Sequence, residues 1–309
     1  MFIEKRRQGK NTKYYLVYSY REKGVVKKIR RYLGLNLSPD ELKKAELEAR
    51  QSIAKEVEGL NTEIFNFSLT KKQVKLLNLL DKEIKVHHLD KGEWHRFTEE
   101  FVYNTNAIEG STVQLDDVKE ILEKQKPPKN HDELESKNVA KAVEFIRKTK
   151  HDLSLDLIKK LHRICFEGTK SFAGRLRDVE VIIRNGKGEV VHAGVPSTQL
   201  KSALDDMVSW HKKNRKKFKP LVLAAIIHNQ FEHIHPFQDG NGRVGRLLLN
   251  FILLGNKYPP INILFGDRAE YYQTLQEYSK NHSLKPTLKF LIKQYNKMLK
   301  KVATKREKS

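Results

Sequence analysis

Cysteine is nearly absent: Cys165 stands alone in 309 residues. A lone cysteine excludes an internal disulfide and fits a reducing cytosol. In the context L-H-R-I-C-F-E-G it reads as a small buried apolar residue rather than a nucleophile. No run of eighteen apolar residues exists, so no membrane-spanning helix is expected. The opening residues, M-F-I-E-K-R-R-Q-G-K, lack the apolar core of a signal peptide. A cytoplasmic location follows as the expectation. Acidic residues are also short, with 38 Asp and Glu against 60 Lys and Arg and a formal net charge of +22. Such an excess promotes nonspecific binding to polyanions and does not by itself define a nucleic-acid function.

What is present divides along the chain. Phe2–Arg6, Lys13–Tyr20 and Val25–Tyr32 read as three strands, with Glu22-Lys23-Gly24 as the second turn. This stretch interleaves Lys5, Arg6, Arg7, Lys10, Lys13, Lys23, Lys27, Lys28, Arg30 and Arg31 with Tyr14, Tyr15, Tyr18, Tyr20 and Tyr32. A basic sheet with exposed aromatics is one way to bind nucleic acid; docking to an acidic protein surface is the other reading. Ser38, Pro39 and Glu41 then form a helix start as N-cap, N1 and N3, and Thr70 to Gln73 opens a second helix.

The densest chemistry lies at 233–250, H-I-H-P-F-Q-D-G-N-G-R-V-G-R-L-L-L-N. Pro220–Ile234 is apolar nearly all round and predicts a buried helix, with His228 as a core histidine. The His235-Pro236 step ends it, because a residue before proline is pushed out of the α region. Gly240, Asn241 and Gly242 suit a tight loop, and Arg243–Leu254 restarts as a helix. A loop at a helix N-terminus is an anion site, and Arg243 and Arg246, one turn apart, add donors for phosphate. A carboxylate beside phosphate needs a cation between them, so Asp239 reads as a ligand to Mg²⁺. His235 is the one residue of the loop whose ordinary pKa suits a general base.

These residues match the pattern H-x-F-x-[D/E]-G-N-G-R-x-x-R, and the chain thereby resembles the Fic family. The resemblance implies a mainly α fold, a Fic-type helical bundle with a β-hairpin flap. The small basic β-rich N-terminal segment precedes it. It also implies transfer of AMP from ATP with Mg²⁺ to a Ser, Thr or Tyr hydroxyl of a target protein. Under it, His235 is the base and Asp239 the metal ligand. Gly240, Asn241, Gly242, Arg243 and Arg246 hold the phosphates. A phosphorylating branch carries lysine where Gly242 stands, so Gly242 favours nucleotidyl transfer.

Two upstream matches and one downstream extend the likeness. Asn104–Ser111, N-T-N-A-I-E-G-S, resembles the family's inhibitory motif [S/T]-x-x-x-E-[G/N] through Thr105, Glu109 and Gly110. The resemblance implies that Glu109 pairs with Arg246, removes the γ-phosphate donor, and in some relatives serves in removal of AMP. Glu180–Ile183 and Val190–His192, around Asn185-Gly186-Lys187-Gly188 and after G-R-L-R at 174–177, resemble the flap hairpin that receives the target backbone. In Arg268–Tyr278, Tyr272 resembles an adenine-pocket residue, although Ser279 replaces a frequent family asparagine. The expected organisation is 1–36 basic β-rich, 37–91 helical accessory, 92–300 Fic domain with an inhibitory helix at about 99–111, and 301–309 a basic disordered tail. A homodimer is a further expectation from braked relatives. The rival readings are a nucleic-acid-binding regulator whose core senses nucleotide, and a Fic enzyme using another nucleotide donor.

Overall fold

The computed structural model describes residues 1–22, 25–64, 67–84, 86–124, 127–184 and 190–306. It divides into two compact units, Met1–Val74 and Lys75–Ser309.

The first unit is a three-stranded antiparallel sheet, β1 (Phe2–Gln8), β2 (Asn11–Glu22) and β3 (Val25–Leu35), in the order β1-β2-β3. Alternation along β2 and β3 sends Leu16 and Ile29 inward, where they meet Ala49 and Ile53 of α1 (Pro39–Leu60). The start of α1 is a capping box: Glu41 accepts from the Ser38 N–H at 2.9 Å, and the Ser38 hydroxyl accepts from the Glu41 N–H at 3.4 Å. α1 therefore belongs with the sheet, and the expected break after residue 36 is corrected. Two of the tyrosines are engaged by neighbouring cations, Lys5 over Tyr14 at 5.7 Å and Arg6 over Tyr15 at 5.2 Å. The turn at Lys23-Gly24 lies outside the described residues. A short hairpin, β4 (Asn61–Ile64) with β5 (Phe67–Thr70), follows.

The unit boundary falls inside α2 (Lys71–Leu80), not near residue 91. The second unit is helical: α3 (Lys91–Ile108), α4 (Leu115–Glu123), α5 (His131–Lys148) and α6 (Leu155–Phe166) lead to the hairpin β6 (Ile182–Arg184) and β7 (Val190–Ala193). Then come α7 (Leu200–Asn214), α8 (Pro220–Ile234), α9 (Asn241–Gly255), α10 (Arg268–Asn281) and α11 (Lys285–Arg306). α8 and α9 form the centre. Twelve of the fifteen residues of each are buried. α3, α5 and α6 pack on α9, while α7, α10 and α11 pack on α8. The helix expected at about 99–111 is α3, which starts earlier, under a capping box of Asp90 with Glu93, and ends at Ile108. α11 continues to Arg306, so the basic run from 301 is helical through that residue, contrary to a disordered tail. Lys, Ala and Arg are good helix formers, and nothing in the sequence stops the helix earlier. Among the described residues no helix is long and apolar enough to cross a membrane.

Candidate active site

The loop between α8 and α9 is built by its own residues. His235 is the C-cap of α8 in the left-handed region, φ 52°, and Gly240, φ 83°, is the N-cap of α9. Asn241 closes the loop from inside. Its Oδ1 accepts from the Phe237 N–H at 2.8 Å and its Nδ2 donates to the Phe237 carbonyl at 2.7 Å. That side chain, 2% exposed, is spent on the fold. The Asn241 backbone N–H, in the first turn of α9, stays on the loop side. No side chain caps α9, so its first N–H groups face the loop as an anion site.

A layer the sequence did not reveal holds the loop from below. Phe237 is fully buried and stacks on His162 of α6 with centroids 3.8 Å apart. His162 Nδ1 accepts from the Gly174 N–H at 2.8 Å, so its Nε2–H donates to the Asp239 carbonyl at 3.0 Å. Burial pushes the His162 pKa down to about 4, which keeps it neutral in this role. Arg177 braces the other side. Its N–H donates to the Pro236 carbonyl at 3.0 Å and its Nε to the His235 carbonyl at 2.8 Å. Its Nη1 reaches the Val179 carbonyl at 2.6 Å, and its Nη2 the Val195 carbonyl. One guanidinium thus joins the residues flanking the flap hairpin to the backbone of His235. The flap tip at 185–189 lies outside the described residues.

The charged residues separate into two groups. Arg243 is buried, bonded to Glu135 of α5, and stacked over Phe166 at 4.3 Å. It approaches Asp239 Oδ1 at 3.5 Å. Its Nη1 and Nη2 thus face protein carboxylates, while Nε has no hydrogen-bond partner among the described residues. Asp239 Oδ1 accepts from the Gly240 N–H at 2.6 Å, and Oδ2 faces Lys170 Nζ at 3.2 Å. Burial raises its pKa, but Arg243, Lys170 and the Gly240 amide outweigh that and hold it below the ordinary value. Its side chain keeps 42% exposure, so a carboxylate oxygen faces solvent.

The second group centres on Arg246, 2% exposed. Nε donates to Thr105 Oγ1 at 2.7 Å, and Nη2 to the Thr105 carbonyl at 2.9 Å and to Glu109 Oε1 at 2.7 Å. Glu109 is the C-cap of α3, and Gly110 follows at φ 94°. The Glu109 carboxylate rests over Gly242: a Cβ there would overlap Glu109 Oε1 and crowd Arg246 Nη1 at 2.9 Å. A carboxylate thus lies beside the N-terminal turn of α9, where a phosphate is favoured. Tyr271 is core, its hydroxyl 2.9 Å from His228 Nε2. Tyr272 is at the rim, 40% exposed, and donates to the Ile108 carbonyl at 3.2 Å, beside Glu109. Cys165 is fully buried and its pKa is raised to about 12, which removes it as a nucleophile.

An uncapped helix N-terminus, a histidine at the preceding turn and a buried arginine define an anion-handling site on a helical hairpin. Residues 152–253, which include this hairpin, match the model of the Fic/DOC family. The chain is 33% identical over 203 residues to the protein adenylyltransferase fic-1 of Caenorhabditis briggsae, covering 62% of this chain and 39% of that protein. It is 30% identical over 202 residues to the protein adenylyltransferase Fic of Nematostella vectensis, covering 62% and 45%. The chain therefore spans less than half the length of these curated relatives. A Fic-domain signaling protein of Bacteroides thetaiotaomicron superposes with a TM-score of 0.64 at 25% identity, covering 74% of this chain and 94% of that one.

Proposed function

We propose that this chain is a protein adenylyltransferase that uses ATP with Mg²⁺ and is held off by Glu109. The Glu109–Arg246 pair seated over Gly242 carries the reading. It occupies with protein carboxylate the place and the donor that a nucleotide phosphate needs. ATP bound against this pair loses the Arg246 Nη2 donor for its γ-phosphate, and its α-phosphate is misaligned for attack.

In the released state, His235 takes the proton of a target Ser, Thr or Tyr hydroxyl. The hydroxyl oxygen bonds to the α-phosphorus, the bond to the β-phosphate oxygen breaks, and pyrophosphate leaves. The N–H groups at the start of α9 and Arg246 hold phosphate oxygens, so the chemistry is positioning and charge neutralisation. The exposed Asp239 carboxylate, kept ionised by its surroundings, fits a hard divalent cation that shares its ligands with phosphate. Mg²⁺ bound there supplies neutralisation of the α- and β-phosphate charge. Arg243 shapes the loop through Glu135 and Asp239, and Tyr272, at the rim beside Glu109, packs on the base. Residues flanking the hairpin, tied to His235 by Arg177, set the target backbone against the base.

The test is mass spectrometry of the purified chain, and of lysate proteins incubated with it, in Mg-ATP. Glu109→Gly acquires AMP adducts, the unsubstituted chain few, and Glu109→Gly with His235→Ala none. Hydrogen bonds to charged groups contribute about 1.5–3 kcal/mol, which sets the expected gain at about 10- to 150-fold. Equal labelling with and without Glu109 overturns the brake.

A further inference from the structure

Away from the loop, α3 and α4 pack together and bring three donor side chains to one point on the surface. His95 and Glu99 are one turn apart on α3, and Glu123 is the last residue of α4. His95 Nε2 lies 3.1 Å from Glu99 Oε1 and 3.7 Å from Glu123 Oε1. All three donor atoms lie within 4.8 Å of one another. Around a tetrahedral ion with bonds of about 2.0–2.1 Å, donor atoms stand roughly 3.3 Å apart. The first two separations bracket that value.

A second observation points the same way. The Glu99 side chain is only 8% exposed, yet among the described residues its hydrogen-bond and ion-pair partner is His95, a member of the cluster. Taking a carboxylate out of water without a guanidinium, ammonium or backbone N–H bonded to it is costly. Lys119 is a cation close enough to feel Glu99 and Glu123, but its ammonium is bonded elsewhere, to Asp116 at 2.8 Å.

We propose that His95, Glu99 and Glu123 form a binding site for a divalent transition-metal ion, Zn²⁺ in the first place. One imidazole and two carboxylates suit Zn²⁺. Mg²⁺ prefers near-octahedral oxygen and water ligands, so this site is chemically separate from Asp239. With His95 at 52% and Glu123 at 54% exposure, the fourth position opens to water. A bound ion staples the middle of α3 to the end of α4. α3 is the helix that Glu109 caps, so the staple acts on the element that carries the brake.

Zn²⁺ is titrated into the metal-stripped, nucleotide-free full chain by calorimetry, in parallel with His95→Ala and Glu123→Gln. The two altered side chains are half exposed, so both variants keep the fold, which circular dichroism checks. The expected result is a single saturable site, weakened at least tenfold in each variant, unaffected by millimolar Mg²⁺, with a rise in melting temperature only where the site is intact. Absence of saturable binding overturns the proposal. So does a site that keeps its affinity in His95→Ala, or one that Mg²⁺ displaces.

Discussion

At Gly242, the absence of a side chain has a consequence that the motif alone does not state. The residue is small because the Glu109 carboxylate lies where its Cβ would be. Gly242→Ala therefore displaces Glu109, but its Cβ enters the place that the phosphate needs, so transfer rises less than in Glu109→Gly. In the Glu109→Gly background the same substitution gives no gain. Initial rates of AMP incorporation across this double-mutant cycle check the coupling, and equal effects in the two backgrounds contradict it. Glu232 is the other informative residue. Its Oε1 is buried against Gly245 with no hydrogen-bond partner among the described residues. Burial pushes its pKa up to about 8, with Arg246 opposing and Glu109 adding. A raised acid pKa means the folded state holds the proton longer than the unfolded chain. Its stability contribution is full below about pH 4.5 and is lost as pH rises towards 8. Glu232→Gln should flatten that decline, raising the melting temperature more at pH 8 than at pH 5; a parallel shift at both pH values contradicts the assignment. The loop that carries His235, Asp239 and Gly242 was legible because the His235-Pro236 step, Gly240 and the restarting apolar pattern are local backbone signals. His162, Glu135 and Arg177 were not, since each acts through a partner tens of residues away that no local spacing reveals.

Elements were legible where their ends carry backbone signals. α8 spans Pro220–Ile234 as expected, from a proline in its first turn to the break before Pro236. The capping boxes at Ser38 and Thr70 open α1 and α2 as read. α3 was misplaced because its start depends on Asp90 and Glu93, while the inhibitory motif marks only its end. The flap strands were read from their turn, yet their coupling to the loop depends on Arg177. Arg177→Met frees the His235 carbonyl and the residues flanking the hairpin together. Measured in the Glu109→Gly background, kcat should fall about 100-fold, as expected for a misplacement near 1 Å. ATP affinity should stay nearly constant, because Arg177 bonds only to protein. A loss confined to ATP binding contradicts a positioning role.

For the whole molecule, charge and composition bounded little beyond class. The position of the boundary between the two units was hidden because it lies within a helix instead of a Gly- or Pro-rich linker. The basic run near the C-terminus looked like a solvated tail and is helix to Arg306, since a lysine-rich helix and a lysine-rich coil share one composition. The chain-wide claim is that one carboxylate, Glu109, decides whether this protein transfers AMP. It is tested most directly by incubating the purified chain and its Glu109→Gly variant with Mg²⁺ and ATP labelled at either the α- or the γ-phosphate. Protein-bound label is expected from α-labelled ATP only, mainly in Glu109→Gly. Label from the γ-phosphate, or none in the variant despite tight ATP binding, would contradict it.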